Sequence, residues 1–367
     1  MTKSAVRKYL LRWTTIFPAL AFIALLLSWS RDLPWPVLAI EAVAMVVTVM
    51  AAVHHAELIA HRVGEPFGSL ILAVAVTVIE VGLIVMLMVS GKGDVSTLAR
   101  DTVFSAVMLT MNGIVGLALM VGAVKYRLAV FNSEGTASAL GTTITLAGLT
   151  MVLPRFTTSN PSPSFIPGQL IFVAVASLLL YGGFVFTQTI RHRDFFLPPG
   201  DTDNVDEDGP HARKPSNKRT ALSLGLLLVS LVSVVGLAKV ESPAIQAGVT
   251  AARLPPSFVG VILAVIVLLP ESIAAVRAAA ANRTQIALNL GYGSALASIG
   301  LTIPVMAVIS QWLPGPLTLG LPPLQIVLLA ISAVVAVLTV VPGRAKTQHG
   351  VIHLVLLAAF IVLSIMP

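Results

Sequence analysis

Two glutamates stand where a carboxylate is expensive. Glu80 lies in VTVIEVGLIVMLM (76–88) and Glu271 in IVLLPESIAAVRA (266–278), both in strongly apolar runs. A charged side chain at the centre of a membrane helix costs roughly 2.5–3.5 kcal/mol, so it must be protonated, paired or bound to a cation. Pro270, just before Glu271, has no N–H, so the carbonyl of Ile266 loses its helical partner. In lipid that carbonyl is costly unless something else binds it, and a cation can. Carboxylates and freed carbonyls make an all-oxygen site, the kind hard cations such as Ca²⁺ take with about six to eight ligands. Two carboxylates neutralise one divalent ion or take up two protons. A group that holds either a proton or a metal ion is the minimal chemistry of exchange.

Other polar residues fall nearby. Ser294, Ser298 and Thr302 are spaced i, i+4, i+8 on one helical face, and Asn112 follows Ser105 by two turns. A buried amide needs several partners, which makes Asn112, with Ser294 and Ser298, a candidate to complete or position a cation site. For the hydroxyls the alternative is a hydrogen bond to their own backbone. In HHAELIAH (54–61), His54, Glu57 and His61 share another helical face. Two histidines and a carboxylate can bind Zn²⁺, which raises an alternative function, an intramembrane metal-dependent hydrolase. The same residues suit an inner vestibule, where histidines that titrate near neutrality tune a pH response.

The elements that must hold these residues are membrane helices. Of 367 residues, 56% are hydrophobic and 11% charged, against about 25% charged in soluble domains. There are no cysteines, which excludes disulfides, thiolate metal sites and cysteine nucleophiles. Runs long enough to span a bilayer occur at 10–29, 35–60, 68–90, 99–124, 137–153, 166–190, 220–240, 256–281, 285–311, 321–342 and 349–366. With the N-terminus inside, most of the 23 Lys and Arg fall in inside segments, as the positive-inside rule requires. This predicts a cytoplasmic N-terminus, a cytoplasmic linker and an outside C-terminus. The linker, 191–219, is rich in Pro, Gly and charge; Asp201, Asp203, Asp206, Glu207, Asp208 and His211 lie in it.

The linker divides a weak internal repeat. NGIVGLALMVGAV (112–124) aligns with LASIGLTIPVMAV (296–308), matching Gly116 to Gly300 and Leu117 to Leu301, and upstream Glu80 faces Glu271. Gly113, Gly116, Gly291, Gly293 and Gly300 invite close helix approach. The expected organisation is residues 1–34 with a first helix, 35–190 as a five-helix repeat, 191–219 as linker and 220–367 as a second five-helix repeat. An odd number of helices inverts the second repeat, and inverted repeats with broken helices near the midplane are a transporter architecture. A passive cation channel is a further alternative, since it too needs a polar path.

The stretches GEPFGSLILAVAVTVIEVGL (64–83), LLPESIAAVRAAAANRTQIALNLGYGSALASIGLTIPV (268–305) and DEDGPHARKPS (206–216) resemble the cation/Ca²⁺ exchanger superfamily, in its proton-coupled branch and the bacterial ChaA-like antiporters. The resemblance implies an all-α integral membrane fold of about eleven helices, one extra and then two inverted repeats of five. It implies exchange of Ca²⁺, or of Na⁺ or K⁺, for H⁺ across the bacterial cytoplasmic membrane by alternating access, and it places the family's two repeat glutamates on Glu80 and Glu271. A family glutamate before the first repeat motif falls on Glu57. Where the family has Gly-Asn-Ala before each glutamate, this chain has Val76–Ile79 and Val267–Pro270, and Ala297 stands where a glutamine is expected. The partners expected are lipid, inorganic cations and protons, with a homo-oligomer left open and no nucleic acid. No cofactor and no enzymatic activity are expected.

Overall fold

The computed structural model describes residues 12–31, 33–64, 67–90, 96–199, 215–312 and 317–367. The elements are nearly all helical: α1 (Trp13–Ser28), α2 (Trp35–Val63), α3 (Phe67–Ser90), α4 (Leu98–Tyr126), α5 (Ser133–Arg155), α6 (Pro167–Arg191), α7 (Asn217–Ala251), α8 (Phe258–Ala280), α9 (Thr284–Ile309), α10 (Pro323–Val340) and α11 (Thr347–Ile365). Among the described residues ten of these are long and apolar enough to cross a membrane; α1, with 16 residues, is apolar but shorter. The protein is a multi-pass membrane protein. Each expected span corresponds to one helix. The largest difference is α7, which runs on through Ala251 and makes Glu241 helical, well inside its element.

Local chemistry sets the helix starts. α2, α6 and α10 have proline in their first turn, where the missing N–H costs nothing. Asn132 caps α5 by accepting from the N–H groups of Glu134 and Gly135 at 2.9 and 3.3 Å. Gly64 ends α2 at φ +81°, a conformation glycine adopts without strain. After α4 and before α11, β1 (Ala129–Val130) and β2 (Arg344–Ala345) pair antiparallel, Ala129 opposite Ala345.

Two compact units arise, and each takes helices from both sides of the linker. The first holds α1, α2, α3 and α7; the second holds α4–α6 and α8–α11. In the first, α2 packs along α7, α1 and α3. In the second, α4 lies at the centre, against α8, α9 and α11, and its segment 98–108 is entirely buried. Among the described residues regular α-helix is broken four times by π turns, at Leu109–Ile114, Gly148–Val152, Thr187–Arg191 and Ser298–Thr302. Pro270 does not break α8, which is continuous from Phe258 to Ala280. The irregular backbone lies in the π turns of α4, α5, α6 and α9.

Candidate functional site

In the second unit, α8 is laid on α4 by small residues. A Cβ on Gly260 would come within 2.6 Å of the Asp101 backbone, so only glycine permits this approach. One turn on, Ala264 and Leu268 pack with Ala106 and Leu109. Further along, Ala275 and Ala279 pack with Ile114, Ala118 and Ala287. Glu271 falls between these two layers, level with the π turn Leu109–Ile114. Its side chain is buried, 7% exposed. α9 packs on both α8 and that π turn and carries half-buried Ser294 and buried Ser298, where its own π turn begins. The second unit thus brings Glu271, Asn112, Ser294 and Ser298 onto three mutually packed helices. π turns recur at functional sites, since an extra residue per turn re-aims side chains and backbone.

Glu80 belongs to the first unit and is 2% exposed. It sits on α3, which packs on α2 and α7; Gly82 has no room for a Cβ against Val235 of α7.

Asn112, fully buried, has an amide that is already engaged. Its Nδ2 donates to Ser332 Oγ at 2.9 Å, and its Oδ1 lies 3.2 Å from His353 Nδ1. His353 Nε2 lies 3.2 Å from Thr339 Oγ1. An amide oxygen can only accept, so Nδ1 of His353 carries the proton and Nε2 accepts from the Thr339 hydroxyl. The network ties the π turn of α4 to α10 and α11. His353 stands alone as an ionisable group in the apolar run VIHLVLLAAF, and that is the signal by which a sequence shows such a residue.

The other hydroxyls divide. Ser105 donates to the carbonyl of Asp101 at 2.6 Å, Thr110 to that of Ala106 at 2.8 Å and Ser272 to that of Leu268 at 2.7 Å, the backbone role. Of the glycines, Gly116 and Gly300 do allow close approach: a Cβ would lie 2.9 Å from His353 Cβ and 2.7 Å from Tyr181 Cβ respectively. Gly291 is tight against Val115, Gly113 is in ordinary contact, and Gly293 has open space.

The face of His54, Glu57 and His61 does not assemble a metal triad. Glu57 and His61 are exposed and His54 is half-buried, and among the described residues no three His, Cys, Asp or Glu side chains group to hold a metal ion. The buried histidine is its neighbour His55. Its Nε2 meets the Thr14 carbonyl at 2.8 Å and its Nδ1 the Ser223 hydroxyl at 3.3 Å, joining α1, α2 and α7. The linker acids Asp201, Asp203, Asp206, Glu207 and Asp208, with His211, lie outside the described residues.

Comparison with known proteins decides the family. Residues 33–190 and 222–366 match the sodium/calcium exchanger protein family. The chain belongs to that family. It is 40% identical over 358 residues to a putative ionic transporter, y4hA, of Sinorhizobium fredii, covering 97% of this chain and 96% of that protein. It is 34% identical over 349 residues to the sodium-potassium/proton antiporter ChaA of Escherichia coli, covering 94% of each. Its fold is that of the Ca²⁺/H⁺ antiporter protein YfkE, with a TM-score of 0.71 at 16% identity over 97% of this chain and 99% of that one. The expected membership and the exchanger fold are therefore found.

Proposed function

We propose that this exchanger-family protein is a cation/proton antiporter in which Glu80 and Glu271 alternately hold the transported cation and protons. The single observation that carries this is Glu271: a carboxylate 7% exposed in a helix that crosses the membrane, level with a π turn in its neighbour. A carboxylate so placed must be neutralised, and protons and hard cations both do it. Relatives support the cargo class. ChaA of Escherichia coli is named for sodium, potassium and protons, and antiporters of Aphanothece halophytica and Bacillus subtilis, 24% and 23% identical, are named for Ca²⁺ and H⁺. Ca²⁺ is the first cargo to test, with Na⁺ and K⁺ beside it.

Ser294 and Ser298 add oxygens from α9. Asn112, held by Ser332 and His353, shapes the π turn facing α8. The Lys/Arg distribution supports a cytoplasmic N-terminus and linker and a C-terminus outside the bacterial inner membrane. Exchange proceeds by alternating access, as inverted repeats do. The test is proton movement in reconstituted vesicles with an acidic interior. Addition of the cargo ion outside should alkalinise the lumen, and that ion is then identified. No response to Ca²⁺, Na⁺ or K⁺ contradicts antiport; cation flux indifferent to the pH gradient favours a channel.

A further inference from the structure

The first unit contains a second pair of buried carboxylates. Glu41 on α2 and Glu241 on α7 are 5% and 2% exposed and near enough for their charges to interact. Ser28, at the end of α1, donates its hydroxyl to Glu41 Oε1. Beyond that bond the cluster is open. Glu41 Oε2 and Glu241 Oε1 are buried without a hydrogen-bond partner, and so is the hydroxyl of Ser242. Ser242 is wholly buried. On the same helix Ser230 and Ser233 each donate to the carbonyl four residues back, both at 2.7 Å; Ser242 has no such bond. Among the described residues neither carboxylate has a Lys or Arg partner. Lys239, two residues from Glu241, sits over the Trp29 ring at 4.3 Å.

The sequence adds an independent sign. Pro243 lies inside α7 and has no N–H for the carbonyl of Lys239. Glu241-Ser242-Pro243 therefore carries the same three groups as Pro270-Glu271-Ser272: a carboxylate, a hydroxyl and a proline that frees a carbonyl. Two adjacent buried carboxylates repel each other and lack hydration, and a divalent cation cancels both charges at once. The polar groups that these four side chains offer are all oxygens, the ligands a hard ion takes.

We propose that the end of the first unit where α1 passes into α2 holds a second hard-cation site, formed by Glu41, Glu241, Ser28 and Ser242 and taking one divalent ion such as Ca²⁺. It uses none of the residues assigned to exchange and stands whether or not that assignment does.

The experiment is equilibrium ⁴⁵Ca²⁺ binding to the purified full chain in detergent, in a Glu80→Gln/Glu271→Gln background that removes the exchange carboxylates. The linker acids are common to all variants. The background protein should keep one saturable site per chain; adding Glu41→Gln or Glu241→Gln should abolish it, and adding Ser242→Ala should weaken it several-fold. Absence of a saturable site in the background protein, or unchanged binding after either glutamine substitution, overturns the proposal. If the glutamine variants are not monodisperse, Ser242→Ala decides: weakened binding supports the site and unchanged affinity overturns it.

Discussion

At the scale of single residues, the second unit has two kinds of buried or half-buried polar group. Ser105, Thr110 and Ser272 return their hydroxyls to their own helices, a local arrangement that any helix offers. Asn112 and His353 instead spend theirs between helices. Removing one member of such a network strands its partners, at a cost of about 1–3 kcal/mol each. His353→Leu leaves the Asn112 oxygen and the Thr339 hydroxyl buried without a partner. It should lower the thermal unfolding midpoint of the detergent-solubilised protein by several degrees, whereas the same midpoint as the native chain would show that the network carries no stability. Glu80 and Glu271 were legible from sequence because charge in an apolar run is rare. His55 and His353 were not singled out. Nothing in a one-dimensional pattern shows that a histidine faces a carbonyl or an amide on a helix far along the chain.

Elements are where expectation and structure part most clearly. Hydropathy locates the eleven helices of the described residues, because lipid demands a long apolar run from each. It cannot locate a π turn, which depends on how neighbouring helices pack. Pro270 leaves its helix continuous, yet it still withholds an N–H from the carbonyl of Ile266. If that carbonyl helps to hold the ion, Pro270→Ala should weaken Ca²⁺ binding several-fold while the helix itself gains stability; native affinity in that variant would remove the carbonyl from the site. Packing of α11 on α4 makes a second demand. A Cβ on Gly350 would lie 2.6 Å from the backbone nitrogen of Met120. Gly350→Leu should therefore abolish monodisperse protein on size-exclusion chromatography, while Gly293→Ala, which meets open space, should leave the elution profile unchanged. Equal behaviour of the two would contradict the packing described.

For the whole molecule, the compact units do not follow the order of the chain: α7 joins α1–α3. Spans can be read from pattern, but their grouping depends on contacts between distant helices, such as α2 along α7. Orientation is testable because the chain has no cysteine. Single cysteines at Pro210→Cys in the linker and Met366→Cys near the end should react with a membrane-impermeant maleimide from opposite sides, the first in inverted vesicles and the second in right-side-out cells; labelling of both from one side would contradict the proposed topology. The central claim is that membrane-buried carboxylates exchange cations for protons. Its most direct test is cation-driven lumenal alkalinisation in proteoliposomes with the native chain and with Glu271→Gln, which keeps the shape of the side chain and removes its charge. The native protein should respond to at least one of Ca²⁺, Na⁺ and K⁺, and Glu271→Gln, eluting as folded protein, should lose at least about tenfold in rate, an effect of some 1.4 kcal/mol or more. Coupled exchange at the native rate in Glu271→Gln would contradict the account.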